Sequence, residues 1–253
     1  MVRQGNIFAK KSLHALEICG ILIKDVKGAY MDISKNNVPA SEQVKEENYS
    51  EVFQRGGKIK VLFIGNSITR HEPKPEIGWE HDWGMAASAK EKDYVHVAVN
   101  FLDEKFGKID YCVANCGKWE LCYYDDEILH RWERTREFQA DIVIIRIGEN
   151  IYNAKDKFEE YPLAPYYANM IKFFAVKPNA QVIVTDLFWA NERIDGTIRK
   201  VAKENGYTLV QLNDLGDKKE NMATGKFWHN GVAMHPNDEG MQKIAERIVN
   251  AIQ

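Results

Sequence analysis

The chain of 253 residues is long enough for one large domain, or for one domain with a short appendage. Its 45% hydrophobic and 28% charged residues are ordinary for a globular protein with a sizeable core. With 34 basic and 37 acidic residues the formal net charge is -3, which leaves no electrostatic footprint for nucleic acid or an anionic membrane surface.

Near the start, Arg3, Lys10 and Lys11 precede an apolar run, but His14 and Glu17 interrupt it and no small-residue cleavage site stands before Lys24 and Asp25. No stretch reaches the roughly 18 apolar residues of a membrane helix. These features read as a cytoplasmic protein. Residues 16–23 and 28–33 have the pattern of two hairpin strands, and residues 35–57 are polar, with Pro39 and the pair Gly56-Gly57. Residues 1–57 are therefore expected to form an appendage and linker, and residues 58–253 the main domain.

From residue 58 onward short β-branched runs alternate with helical patterns. Strands are predicted at 60–64, 109–114, 141–147, 181–185 and 207–212. Helices are predicted at 85–106 with a break, 125–137, 164–176 and 192–204. A last helix is predicted over 237–252, where Met241, Ile244, Ala245, Ile248 and Ile252 recur at helical spacing. Strands buried on both faces imply a parallel sheet covered by helices, a three-layer α/β/α sandwich. Reactive loops in such sheets stand at the carboxyl ends of the strands. Cys19, Cys112, Cys116 and Cys122 are too few for a disulfide scaffold and lack zinc-ligand spacing, so they read as buried thiols and no metal is expected.

The first strand runs into Gly65-Asn66-Ser67. Glycine permits a sharp turn that presents the following serine above the sheet edge, although a serine there also suits a helix N-cap. The second strand is followed by Asn115-Cys116-Gly117 and the third by Gly148-Glu149-Asn150. A glycine N–H and an asparagine amide are the donors that a tetrahedral oxyanion needs, and equally the residues of ordinary turns. His235, followed by Pro236 ahead of the last helix, is either a general base or a histidine beside a helix start. An unperturbed imidazole titrates at about 6.5, which suits a base working near neutrality.

Taken in order, Gly65-Asn66-Ser67, Asn115-x-Gly117, Gly148-x-Asn150 and His235-Pro236 resemble the four blocks of the SGNH (GDSL-like) hydrolases, over residues 58–253. The resemblance implies a flavodoxin-like five-stranded parallel sheet, Ser67 as nucleophile and His235 as base. It also implies an oxyanion hole from the Ser67 and Gly117 amides and the Asn150 side chain, with no cofactor. Two positions depart from the family pattern. Asn66 replaces the usual Asp, and Val232 stands where the family carries the acid of the triad. Three readings follow: Glu149 or Glu120 supplies the acid, a backbone carbonyl orients His235 in a Ser-His dyad, or the protein only binds.

Tryptophans crowd the expected site loops: Trp79, Trp83, Trp119, Trp189 and Trp228. They either stack on sugar rings or pack the core. Arg146 on the central strand needs a buried acid, Glu149 or Asp186. The leading expectation is an esterase that removes a small acyl group, such as acetyl, from a carbohydrate. The alternative is a catalytically impaired carbohydrate-binding protein on the same fold. A nucleotide- or flavin-binding protein is disfavoured, because no phosphate-cradling glycine motif follows the first strand.

Overall fold

A computed structural model describes residues 50–253; the expected hairpin at 16–23 and 28–33 lies outside the described residues. Six strands form one sheet in the order β1-β3-β2-β4-β5-β6. They are β1 (Ser50–Phe53), β2 (Lys60–Gly65), β3 (Asp110–Asn115), β4 (Ile142–Arg146), β5 (Gln181–Thr185) and β6 (Thr208–Val210). Strands β2 to β6 are mutually parallel in the doubly wound order, with β2 pairing both β3 and β4.

Alternate residues of the strands enter two separate cores, as the two-residue period of a strand requires. Leu62, Ile64, Val143 and Ile145 face the helices α4 (Leu163–Phe174) and α5 (Glu192–Asn205), against Met170, Ile171, Phe174, Ile194 and Ile198. Val61, Phe63, Ile142 and Ile144 face the opposite layer, α1 (Tyr94–Phe106) and α7 (Asp238–Asn250), against Tyr94, Val95, Leu102, Met241, Ile244 and Ile248. Every residue of β4 is buried, which accounts for its unbroken apolar run. Burying each large aliphatic side chain stabilises the sandwich by about 1.5–3 kcal/mol relative to exposure. No helix among the described residues is long and apolar enough to cross a membrane.

Two helical expectations shorten. Residues 85–93 are loop with one 3-10 turn, and α1 begins only where Asp93 caps the His96 N–H at 2.8 Å. The stretch 125–137 divides into a 3-10 turn at Asp126–Trp132 and the short helix α3 (Glu133–Glu137). The sixth strand, β1, falls in the segment read as polar linker. It pairs antiparallel with β3 at the sheet edge, and Phe53 stacks on Tyr111 with ring centroids 4.4 Å apart. Beyond it, the Arg55 and Gly57 N–H groups donate to Asp110 Oδ1 at 2.6 and 2.9 Å, so this segment belongs to the sandwich.

Candidate active site

Three loops at the carboxyl ends of β2, β3 and β4 and one loop before α7 build the site. After β2 the chain turns sharply, with the Asn66 carbonyl accepting from Thr69 N at 2.9 Å and Arg70 N at 3.0 Å. Gly65 is required here: a Cβ would overlap the Thr69 hydroxyl and lie 2.7 Å from the Arg146 carbonyl oxygen. The turn leaves Ser67 partly exposed.

His235 arrives from the other end of the chain. The short helix α6 (Asn230–Ala233) precedes it, and Asn237 caps α7 after it, accepting from Glu239 N and Gly240 N at 2.9 and 3.0 Å. Residues 221–223 brace the turn: Ala223 N donates to the His235 carbonyl and Asn237 N to the Asn221 carbonyl, both at 2.9 Å. So held, His235 Nε2 lies 2.8 Å from Ser67 Oγ.

The other ring nitrogen, Nδ1, faces the Gly231 carbonyl oxygen at 2.7 Å. A carbonyl only accepts, so the proton sits on Nδ1 and the Nε2 lone pair faces the serine hydroxyl. Val232, where the sequence resemblance expects an acid, is wholly buried among Trp79, Met85, Ala86 and Ala223. Burial of the ring pushes the His235 pKa down to about 4; the Gly231 carbonyl opposes that shift, and His71 and Arg146 add to it. The imidazole is thus a neutral acceptor at neutrality, and its titration moves well below the ordinary histidine range.

Neither Glu149 nor Glu120 orients His235, contrary to one of the three readings from sequence. Both belong to a buried cluster beneath the serine turn. Arg146, fully buried, donates from Nη1 to Glu149 Oε1 at 2.6 Å and from Nη2 to Asn66 Oδ1. Asn66 Nδ2 donates to Glu149 Oε2 at 2.6 Å and to Glu120 Oε1 at 3.1 Å. Asp186, the other acid considered for Arg146, pairs with Arg199 at 2.9 Å. The cluster explains Asn66: an Asp would set a third carboxylate beside two others, whereas the amide donates to both and accepts from the guanidinium.

The expected oxyanion donors differ in their commitments. Ser67 N–H meets no acceptor among the described residues. Asn150 Nδ2 gives one proton to Glu120 Oε2 at 2.6 Å, which leaves its second N–H available. Gly117 N–H instead donates to Asn115 Oδ1 at 2.8 Å, so this donor is engaged within its own loop. Gly148 holds φ +144°, a conformation for glycine, and its N–H donates to Glu120 Oε1 at 2.8 Å.

The tryptophans separate. Trp79 and Trp119 are buried at 0% and 1% exposure, with Trp119 in the core against Tyr123 and Tyr167, so neither lines an open pocket. Trp83 is partly buried and stacks on His81 with centroids 4.0 Å apart. Trp189 stands edge-to-face with His235 at 5.9 Å, and Trp228 is 72% exposed beside Gly78. Sequence reasoning missed the Gly231 carbonyl, which no side-chain pattern announces, and the part played by Asn66.

By sequence, neither a protein-family model nor a curated protein matches the chain. By structure, the chain is similar to a putative GDSL-like lipase from Parabacteroides merdae, at 21% identity and TM-score 0.52, over 77% of this chain and 95% of that one. It is similar to LAE5, an alpha/beta hydrolase enzyme from the Lake Arreo metagenome, at 20% identity and TM-score 0.51, over 77% and 95% of the two chains. A putative GDSL-like lipase from Bacteroides uniformis matches at 15% identity and TM-score 0.50, over 78% and 96%. The fold is that of the GDSL-like hydrolases. At these identities the GDSL-like likeness is one of architecture, and the chemistry has to be argued from the site.

Proposed function

We propose that the protein is a serine esterase of the GDSL-like type, hydrolysing an O-acyl ester through a Ser67 acyl-enzyme. The observation that carries this reading is the 2.8 Å contact between Ser67 Oγ and His235 Nε2, with Nδ1 anchored on the Gly231 carbonyl. Nucleophile and base are within hydrogen-bond reach, and a third group fixes the base, the arrangement that activates a serine hydroxyl. Ser67 Oγ attacks the ester carbonyl carbon while its proton passes to His235 Nε2. The oxyanion is held by Ser67 N–H and the free N–H of Asn150 Nδ2. The imidazolium then protonates the departing alkoxide, and water repeats the sequence on the acyl-enzyme to release the acid.

A carbonyl behind His235 orients the ring but offers less to the imidazolium than a carboxylate does. Removing the triad aspartate in a serine protease costs about 10⁴ in kcat, so a modest turnover number is expected. We take the substrate to be a small acyl group, acetyl foremost, on a carbohydrate. Trp189, edge-to-face with the imidazole, supports a flat sugar ring near the dyad. The expected result is release of acetate from acetylated sugars and p-nitrophenyl acetate by the wild type, and near-complete loss in Ser67→Ala. Sugar binding by calorimetry without any turnover would favour a carbohydrate-binding protein instead.

A further inference from the structure

Glu120 makes no contact with His235, yet its wholly buried carboxylate ties two loops to the helix that carries it, α2 (Gly117–Leu121). Oε1 accepts from Gly148 N at 2.8 Å, Asn150 N at 3.1 Å and Asn66 Nδ2 at 3.1 Å, and Oε2 accepts from Asn150 Nδ2 at 2.6 Å. We propose that Glu120 is a positioning residue that, only as the carboxylate anion, fixes the Asn150 amide and the Ser67 turn in the register that the tetrahedral intermediate needs.

The inference rests on the esterase reading above and on the planarity of an amide. Anchoring one N–H of Asn150 Nδ2 sets the direction of the other, which is the oxyanion donor. All four partners of Glu120 are N–H donors with no lone pair to return. A proton on Oε1, which already accepts three donors, must displace one of them, and a proton on Oε2 meets no acceptor among them. Either way the bond from Asn150 Nδ2 loses its charge assistance, and the oxyanion donor is held less firmly.

The groups facing Glu120 favour such a response near neutrality. Glu149, on the same loop as Asn150, is paired with Arg146, and its charge adds to burial in pushing the Glu120 pKa up to about 7. The thiol of Cys116 and the phenol of Tyr167, the other titratable neighbours, are pushed up by burial and stay neutral. His235 lies lower, at about 4. A loss of activity just below neutrality is therefore expected from Glu120 rather than from the base.

The test measures kcat and KM for p-nitrophenyl acetate, and the Asn150 side-chain amide resonance assigned with Asn150→Ala, from about pH 5 to about pH 9. In the wild type, kcat and the amide shift share one midpoint near neutrality. In Glu120→Gln, kcat falls by about 10- to 100-fold with KM within about threefold, the neutral midpoint disappears, and the amide no longer titrates. A folded Glu120→Gln with kcat within about twofold of wild type, or with its loss in KM, overturns the proposal, as does an unmoved midpoint. If the wild type turns over no ester, the esterase reading fails, and the amide still decides: a wild-type Asn150 resonance that ignores pH refutes the clamp. The same wild-type titration decides if Glu120→Gln does not fold.

Discussion

His235 Nδ1 meets the main-chain carbonyl of Gly231 at 2.7 Å, one turn back along the chain, so the base is oriented by a group that no side-chain substitution removes. A neutral acceptor behind the imidazole adds no full negative charge to favour its proton, and burial therefore dominates its titration.

The first prediction concerns that titration. The His235 resonance is expected to protonate with a midpoint at about 4, well below the usual histidine range. Burial disfavours the cation, so the folded chain binds this proton more weakly than the unfolded chain. The contribution of His235 to stability is present above its unfolded pKa and lost as pH falls through the folded one. NMR titration of the ring protons checks this; a midpoint at or above the unperturbed value of about 6.5 would mean that an acid has been overlooked.

An acid placed at position 232 should harm the protein. Val232 is packed with Trp79, Met85, Ala86 and Ala223, so Val232→Asp buries a carboxylate among apolar groups with no partner. A loss of at least about 3 kcal/mol in urea unfolding is expected, with no gain in kcat. Increased turnover in a stably folded Val232→Asp would show that the main chain can deliver that side chain to His235.

Asn66→Asp should place a third carboxylate beside Glu120 and Glu149 and remove both amide donations. A destabilisation of about 1–3 kcal/mol or more is expected at about pH 8, shrinking towards about pH 5 because protonation relieves the repulsion. Unfolding measured at the two pH values checks the sign. Equal losses at both would point to the missing amide hydrogen bonds rather than to charge repulsion.

Arg146→Met leaves Glu149 buried at 6% side-chain exposure without its cation. Breaking a buried pair in this way costs about 3–5 kcal/mol. Arg146→Met/Glu149→Gln should recover part of the loss, and a double-mutant cycle measures how much.

Much of this was legible in the residues, and the limits have physical causes. The strand runs around Phe63, Ile144 and Ile183 announced a doubly covered sheet because both faces are apolar. The edge strand around Val52 gave no such signal: it is four residues long, with Val52 itself exposed at 44%. Ser67 and His235 were marked by short motifs at strand and helix ends, and they meet in space. The contact that orients His235 was not legible, since a carbonyl belongs to every residue alike. Glu120 was noticed as an acid but not placed, because its partners come from loops 28 or more residues distant.

Covalent labelling reads the pairing of Ser67 with His235 most directly. Wild-type protein incubated with a fluorophosphonate is expected to gain a single adduct by intact mass, mapped by peptide sequencing to Ser67. Ser67→Ala should remain unmodified, and His235→Ala should react far more slowly. An unmodified wild type, or an adduct on another residue with Ser67 untouched, would contradict the activated serine on which the esterase reading depends.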